Sequence, residues 1–347
     1  MELAIARYRL LFKHPFGTAH GLRDGTDSVF VRLAEEDHVG YGEATLPPYL
    51  PETQYSVIQE FSSVEVNKFL RGTECSEQRT FPSHLTLTGP SRAALSTAYY
   101  DLLSKHLDID IKDLLEVDHG KSRPQSMVTL GHTMPREIAS KLIELPSSDL
   151  LKVKLGSKSD GSTLETLSAL DDRPLFLDAN QGWNSVEQAL EMISLVGEAR
   201  VRGIEQPFAK DRRDLHGELK HRTKVPVFGD ESIQDLADLE RATEAFDGVN
   251  LKLMKCGGLD KALAMAKRAK ELGLEVMLGS MSESSLGCGA MAALSGCADL
   301  LDLDGPWLIR NDPFHGLSMI NGNLRIAEGS GIGINPRVGI KLDWREL

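Results

Sequence analysis

Three acidic residues, Asp178, Glu205 and Asp230, each close a short apolar run: PLFLD, VRGIE and VPVFGD. They recur about every 25 residues, with Lys154 before them in LLKVKL and Lys252 after them in VNLKL. Carboxylates gathered at one rim would repel strongly unless a cation stood among them. The pattern points to a metal site flanked by two amines, a constellation suited to moving a proton.

Asp, Glu and Asp supply the hard oxygen ligands that Mg²⁺ takes, whereas Ca²⁺ usually takes more oxygens. Zinc would more often recruit His or Cys. Taken singly, an acid after a strand commonly caps the next helix; three in register on successive strands make that coincidence less comfortable. Lys152 and Lys154, two apart on a strand, share one side, and Val153 takes the other. Unpaired lysines on so apolar a strand would be costly, and nearby carboxylates remove that objection. The same alternation puts Lys252 and Asn250 on one side, opposite Val249, Leu251 and Leu253. Lys255 reads as a loop residue, because Gly257 and Gly258 follow at once. Asp302 and Asp304 close the last strand on one face, as a second metal site, a helix cap or a clamp for a cationic group.

Eight β-rich runs between about Ser126 and Gly305 carry these residues: SMVTLG, LLKVKLG, PLFLDA, RGIEQP, VPVFGD, GVNLKLM, LEVMLGS and LLDLDG. Helical stretches separate them. One is expected to start at Asn184 as N-cap, with Glu187 three residues on. Another runs from Leu259 to Leu272 and stops at Gly273, a suitable C′ residue. Alternating strands and helices favour a parallel sheet, and eight strands suit a closed α/β barrel with catalytic groups at the strand C-termini. Before it, residues 1–122 combine strand-like runs (LAIARYRLLF, SVFVRLAEE, VGYGEA) with helical ones (YSVIQEFSSVEVNKFL, SRAALSTAYYDLLSKHL), as a small α+β domain. The boundary is placed at Lys121–Gln125, giving a barrel over 123–309. The tail from about 310 to 347, with LSMING, NLRIAEG and GIGI, is expected to return to the first domain.

The chain of 347 residues carries a net charge of −12, from 39 basic and 51 acidic residues. That argues against nucleic acid and anionic membranes as partners. Cys75, Cys256, Cys288 and Cys297 form no CxxC pair and read as reduced thiols. The N-terminus lacks a signal-peptide layout, and no apolar run approaches the ~20 residues of a membrane helix. A soluble cytoplasmic protein is expected.

The pieces KVK (152–154), LDAN (177–180), EQP (205–207), GDES (229–232) and LKLMKCGG (251–258), in this order and spacing, resemble the enolase superfamily in its muconate-lactonizing-enzyme subgroup. The resemblance covers essentially the whole chain. It implies a (β/α)7β TIM-like barrel under an α+β capping domain, and Mg²⁺ on Asp178, Glu205 and Asp230. It also implies Lys154 and Lys252 as acid/base groups, and Asn180 as a residue supporting the metal. Within the subgroup the chain is similar to dipeptide epimerases, including those acting on L-Ala-D/L-Glu, in which a DxD matched by Asp302 and Asp304 binds the α-ammonium of a dipeptide. A physical reason agrees: dianionic substrates would be repelled by two extra aspartates, while a dipeptide brings an ammonium to the acids and a carboxylate to Mg²⁺ and Lys152.

The implied reaction inverts the α-carbon of the C-terminal residue by 1,1-proton transfer through an enediolate. Gly21 falls where Ala-Glu epimerases carry an arginine for the distal carboxylate. Arg23 stands close by as a substitute, and Tyr49 in TLPPYLPET lines an apolar pocket or stiffens a surface loop. The reading adopted is a small or hydrophobic dipeptide. Glu283 contacts the substrate, orients a lysine or caps a helix. The alternatives are an N-acylamino acid racemase or cycloisomerase of the same superfamily, and a metal-binding barrel without catalysis. Barrels of this group often form homo-oligomers.

Overall fold

The computed structural model describes residues 1–18, 21–72, 75, 79–118 and 124–347. Three long strands, β1 (Glu2–Thr18), β2 (Gly21–Glu35) and β3 (His38–Leu46), pair antiparallel in chain order. The β1–β2 register shifts between Leu11 and Phe16. Against this sheet lie α1 (Gln54–Phe61), α2 (Val64–Gly72) and α3 (Gly89–His106), with the short α4 (Ile111–Leu114) following. Helix α3 is buried on all sides from Pro90 to Ser104, polar residues such as Arg92 and Asp101 included. It seats directly on the backbone of β3: a Cβ at Gly40 would stand 2.0 Å from the Ala98 carbonyl, and one at Gly42 1.9 Å from that of Ala94. Only glycine permits that approach.

The eight short strands expected from the sequence all form. They are β4 (Val128–Leu130), β5 (Leu151–Lys154), β6 (Leu175–Asp178), β7 (Val201–Glu205), β8 (Val227–Gly229), β9 (Gly248–Lys252), β10 (Glu275–Gly279) and β11 (Leu300–Asp302). Each pairs parallel with its chain neighbours. The ring closes just before β4, where Ser126 bridges Leu301 and the Met127 amide donates to the Leu301 carbonyl at 2.9 Å. The architecture is a parallel α/β barrel with an additional antiparallel sheet.

The barrel helices are α5 (Ile138–Glu144), α6 (Asp160–Leu170), α7 (Val186–Val196), α8 (Arg213–Arg222) and α9 (Leu236–Glu240). They continue with α10 (Leu253–Cys256), α11 (Leu259–Glu271), α12 (Ser285–Ala292) and α13 (Gly305–Leu308). Helix α11 ends as expected, with Gly273 at φ +75°. Helix α7 is capped one residue later than expected: the Ser185 side chain, not Asn184, accepts from the Gln188 amide. Asn184 instead donates its own amide to Gln188 Oε1. Among the described residues no helix is long and apolar enough to cross a membrane.

Period two decides what fills the barrel. Met127, Phe176, Phe228, Met277 and Leu300 pack as an apolar floor. The Phe176 and Phe228 rings meet edge-on at 5.2 Å, and Gly203 and Gly248 leave them room. Two residues beyond Phe176, Phe228 and Leu300 come Asp178, Asp230 and Asp302, so the floor is apolar and the upper rim polar. The expected boundary at Lys121–Gln125 lies in part outside the described residues. Beyond the barrel, Leu317–Ile320 and Asn323–Ile326 form a hairpin, and Arg345–Glu346 adds to the edge of β1. GIGI forms no strand; there only Gly331 makes an isolated bridge, to Asp110.

Candidate active site at the barrel mouth

Lys154, Asp178 and Glu205 stand side by side in the register of β5, β6 and β7, and Asp230 directly follows β8. Asp178, Glu205 and Asp230 are buried, as are Lys152 and Lys252. Val153 faces outward into the helical core, as alternation requires. Lys152 Nζ lies 3.0 Å from Asp178, 2.6 Å from Glu205 and 2.6 Å from Asp302. Lys154 donates to Asp178 at 2.5 Å, and Lys252 to Asp230 at 2.6 Å. Asp302 and Asp304 both face the same cavity of about 410 Å³. The Thr129 amide and hydroxyl hold Asp304, at 2.6 and 3.2 Å.

Several further groups complete the site. Lys255 is not in a loop: the single turn of α10 brings it back under the strand ends. It donates to Asp230 Oδ1 at 2.5 Å and to the Asp230 and Asn250 carbonyls. Its spacing of three from Lys252 was the available signal. Asn250 Nδ2 donates to Glu205 Oε1 at 2.7 Å, and Gly279 makes room for it. Gln206 accepts the Asp230 and Ser232 amides, tying the end of β7 to β8. Glu231, next to Asp230, lines the cavity. Asn180, Gln181 and Gln206, all at positive φ, follow two of the acids, which is where strained backbone tends to gather.

The electrostatics follow from burial and crowding. Burial would raise Asp178, but Lys152 and Lys154 outweigh it and hold its carboxyl below the usual range. Asp230 is held low likewise, against burial, by Lys252 and Lys255. Burial lowers Lys252, yet Asp230 and Glu205 carry it well above its ordinary value. Glu205 goes the other way: burial and Asp178 push it up to about 8. Burial, Asp230 and Asp178 push Glu231 to about 7. Burial and then Asp302 push Asp304 to about 7.

Six carboxyl groups thus converge with four ammonium groups, and the acids are in excess. Glu205 Oε2 faces Lys152 without hydrogen-bond alignment, and Glu231 Oε2 and Asn180 Oδ1 are buried with no hydrogen bond. Among the described residues, no three acidic, His or Cys side chains are drawn together tightly enough to hold an ion. Lysine ammonium groups stand against them. Hard oxygen donors in excess of cations, with unsatisfied buried oxygens, fit a divalent ion of the Mg²⁺ type.

The remaining expected residues divide. Arg23 and Tyr49 line the cavity, with the guanidinium 5.8 Å from the Tyr49 ring and 5.3 Å from that of Phe12. Tyr49 Oη donates to Met281 Sδ at 3.1 Å. Gly21 begins β2, but its surroundings lie outside the described residues. Glu283 is fully buried behind the wall, accepting the Met281 amide at 3.0 Å, and the cavity lining does not include it. Burial and the nearby Glu43 push it up to about 8. The helix-capping option falls to its neighbour: Ser284 caps α12.

Residues 143–339 match the family model described as enolase C-terminal domain-like. The chain belongs to the enolase superfamily. It is 35% identical to an L-Ala-D/L-Glu epimerase of Bacteroides thetaiotaomicron, over 96% of this chain and 88% of the relative. It is 31% identical to a hydrophobic dipeptide epimerase of Flavobacteria bacterium (strain MS024-2A), over 93% and 94% of the two chains. A dipeptide epimerase from Methylococcus capsulatus, solved with Mg and L-Arg-D-Lys, superposes with a TM-score of 0.82 at 26% identity, covering 96% of this chain and 98% of that one.

Proposed function

We propose that the chain is a dipeptide epimerase that inverts the α-carbon of the C-terminal residue by moving a proton from one face to the other. The observation that carries this reading is the placement of two lysines. Lys154 ends β5 and Lys252 ends β9, the second and sixth strands of an eight-stranded ring, so they reach the mouth from opposite sides. Inversion needs one base on each face of the reacting carbon, and a single lysine could not serve both.

Asp178, Glu205 and Asp230 would hold Mg²⁺, supported by Asn180. Bound there, Mg²⁺ supplies a Lewis acid for the charge that develops on the substrate carboxylate. Lys152 is placed to add a second positive charge beside that carboxylate. A base must be neutral before it takes a proton. The acids around Lys252 favour its charged form, and a metal held by Asp230 and Glu205 would weaken that preference. Asp302 and Asp304, across the cavity, take the α-ammonium.

Tyr49, Leu50, Pro51 and Met281 give the wall an apolar stretch suited to a small or hydrophobic C-terminal residue. A second reading, an acidic C-terminal residue, is favoured by Arg23 in that wall and by the Ala-Glu activity of the Bacteroides relative. Incubation with Mg²⁺ and a dipeptide panel in D₂O, read by mass and by chiral chromatography, tests both. Deuterium at the C-terminal α-carbon with loss of chirality is the expected result. The rate order of Ala-Ala, Ala-Leu and Ala-Glu selects the side chain. Lys154→Ala and Lys252→Ala should each abolish epimerisation, and full activity in either would sink the two-base scheme.

A further inference from the structure

A second, smaller cavity of about 70 Å³ opens beside the main one and shares Thr129, Asp304 and Leu308 with it. Pro15, Leu130, Leu145, Pro146 and Trp307 give it an apolar side, and Lys13, His14, Lys141 and Glu144 line it as well. Pro15 comes from β1, within the shift of register between Leu11 and Phe16. His14 and Glu144 meet across the two domains at 2.5 Å, and both line the cavity.

We infer that this cavity receives the side chain of the dipeptide's N-terminal residue, and that Leu145 and Trp307 set its size limit. The inference rests on the reading of Asp302 and Asp304 as the ammonium clamp. The α-ammonium and the first side chain share one carbon atom. An ammonium held at Asp304 therefore places that side chain at the entrance to the small cavity, because Asp304 is part of its wall. The volume then selects among side chains. An apolar cavity of roughly 150 Å³ admits benzene; about 70 Å³ takes a methyl or a short branched alkyl group and excludes an aromatic ring. Because this contact lies away from the reacting carbon, it acts on KM more than on kcat.

The test keeps alanine as the second residue and varies the first through Gly, Ala, Val, Leu and Phe, with kcat and KM measured for each. Wild-type kcat/KM should rise roughly four-fold per buried methyl or methylene from Gly toward Val, carried by KM, and collapse at Phe. Leu145→Trp fills the cavity, and the Val-to-Gly selectivity should fall at least about ten-fold. Leu145→Ala enlarges it, and Leu-Ala and Phe-Ala should gain relative to Gly-Ala. Circular dichroism establishes that both variants fold, and either one suffices for the comparison. An unchanged order of first residues in a folded variant overturns the assignment of the cavity alone. Absence of exchange with every dipeptide in the wild type overturns the epimerase reading and the cavity assignment with it, and is seen before any variant is made.

Discussion

Lys152→Met removes the ammonium on which the apo site depends most. Lys152 is 1% exposed and contacts three carboxylates, at 3.0, 2.6 and 2.6 Å. At an effective dielectric of ~20, each contact carries a gross attraction of about 5–6 kcal/mol, most of it offset by the desolvation of the ions. Breaking a buried pair by removing one partner leaves a net cost of about 3–5 kcal/mol. For a chain of 347 residues, an unfolding entropy of roughly 2 cal/mol/K per residue turns that into a fall in Tm of about 4–7 °C. Methionine matches the length of the lysine stem, so little of this effect comes from lost packing. The variant also leaves Asp178 and Glu205 for a divalent ion without a competing ammonium. In chelator its Tm should fall by the amount stated, and added Mg²⁺ should raise the variant's Tm more than the wild type's, by mass action on the folded state. Differential scanning fluorimetry with chelator and with a Mg²⁺ series reads both. A variant as stable as the wild type in chelator, or a Tm indifferent to Mg²⁺ in both proteins, would refute the picture of lysines neutralising a cation site.

Asn250→Ala takes away the donor that orients Glu205 and should weaken Mg²⁺ binding about 10–100-fold by calorimetry; Gly279→Ala should copy it, because its Cβ would stand 2.3 Å from Asn250 Oδ1. Asp304→Asn should lower kcat/KM for a free dipeptide about 10–150-fold, the cost of one charged hydrogen bond, while an N-acetylated dipeptide, having no ammonium, loses nothing. His216 is buried, accepting at Nε2 from Gln206 and Phe208 while its Nδ1 hydrogen goes to the Arg212 carbonyl, and burial lowers its pKa to about 4. The unfolded chain therefore binds the proton first, so stability is full above pH ~6.5 and falls by about 3 kcal/mol as pH drops toward 4. Urea titrations at pH 7 and 4.5 should show a smaller loss for His216→Gln.

Strand positions and side-chain facing were legible because they depend on local alternation. The runs PLFLD, VRGIE and VPVFGD end where β6, β7 and the turn after β8 present their acids, and Lys152 and Lys154 share the barrel interior while Val153 does not. Period two needs no knowledge of partners. What stayed hidden depends on neighbours distant in sequence. Asn250 looked like a companion of Lys252, and only the closed ring sets it against Glu205. Gln206 reads as an ordinary residue before proline until its side chain is seen holding the amides of Asp230 and Ser232. Lys255 was misplaced for a local reason: Gly257-Gly258 suggested an open loop, yet one helical turn fits before Gly257 takes the αL conformation.

The hidden residues share a function that explains why they were hidden. Four cationic and six acidic groups can share so small a volume only if each is held in one orientation, since a free choice of partner would let the site collapse into several arrangements of similar energy. Asn250, Gln206, Lys255 and Thr129 supply those fixed bonds, to Glu205, to the Asp230 backbone, to the Asp230 carboxylate and to Asp304. Their chemistry is generic, so residue type alone does not mark them. Their positions are dictated by the acids they hold. A barrel makes this economical: neighbouring strand ends stand about 5 Å apart, so each acid finds its orienting partner on its own strand or on one close by. Lys154 and Lys252 stand on opposite strands and both line the mouth, which is why the proton-transfer reading follows from topology more securely than from any single residue.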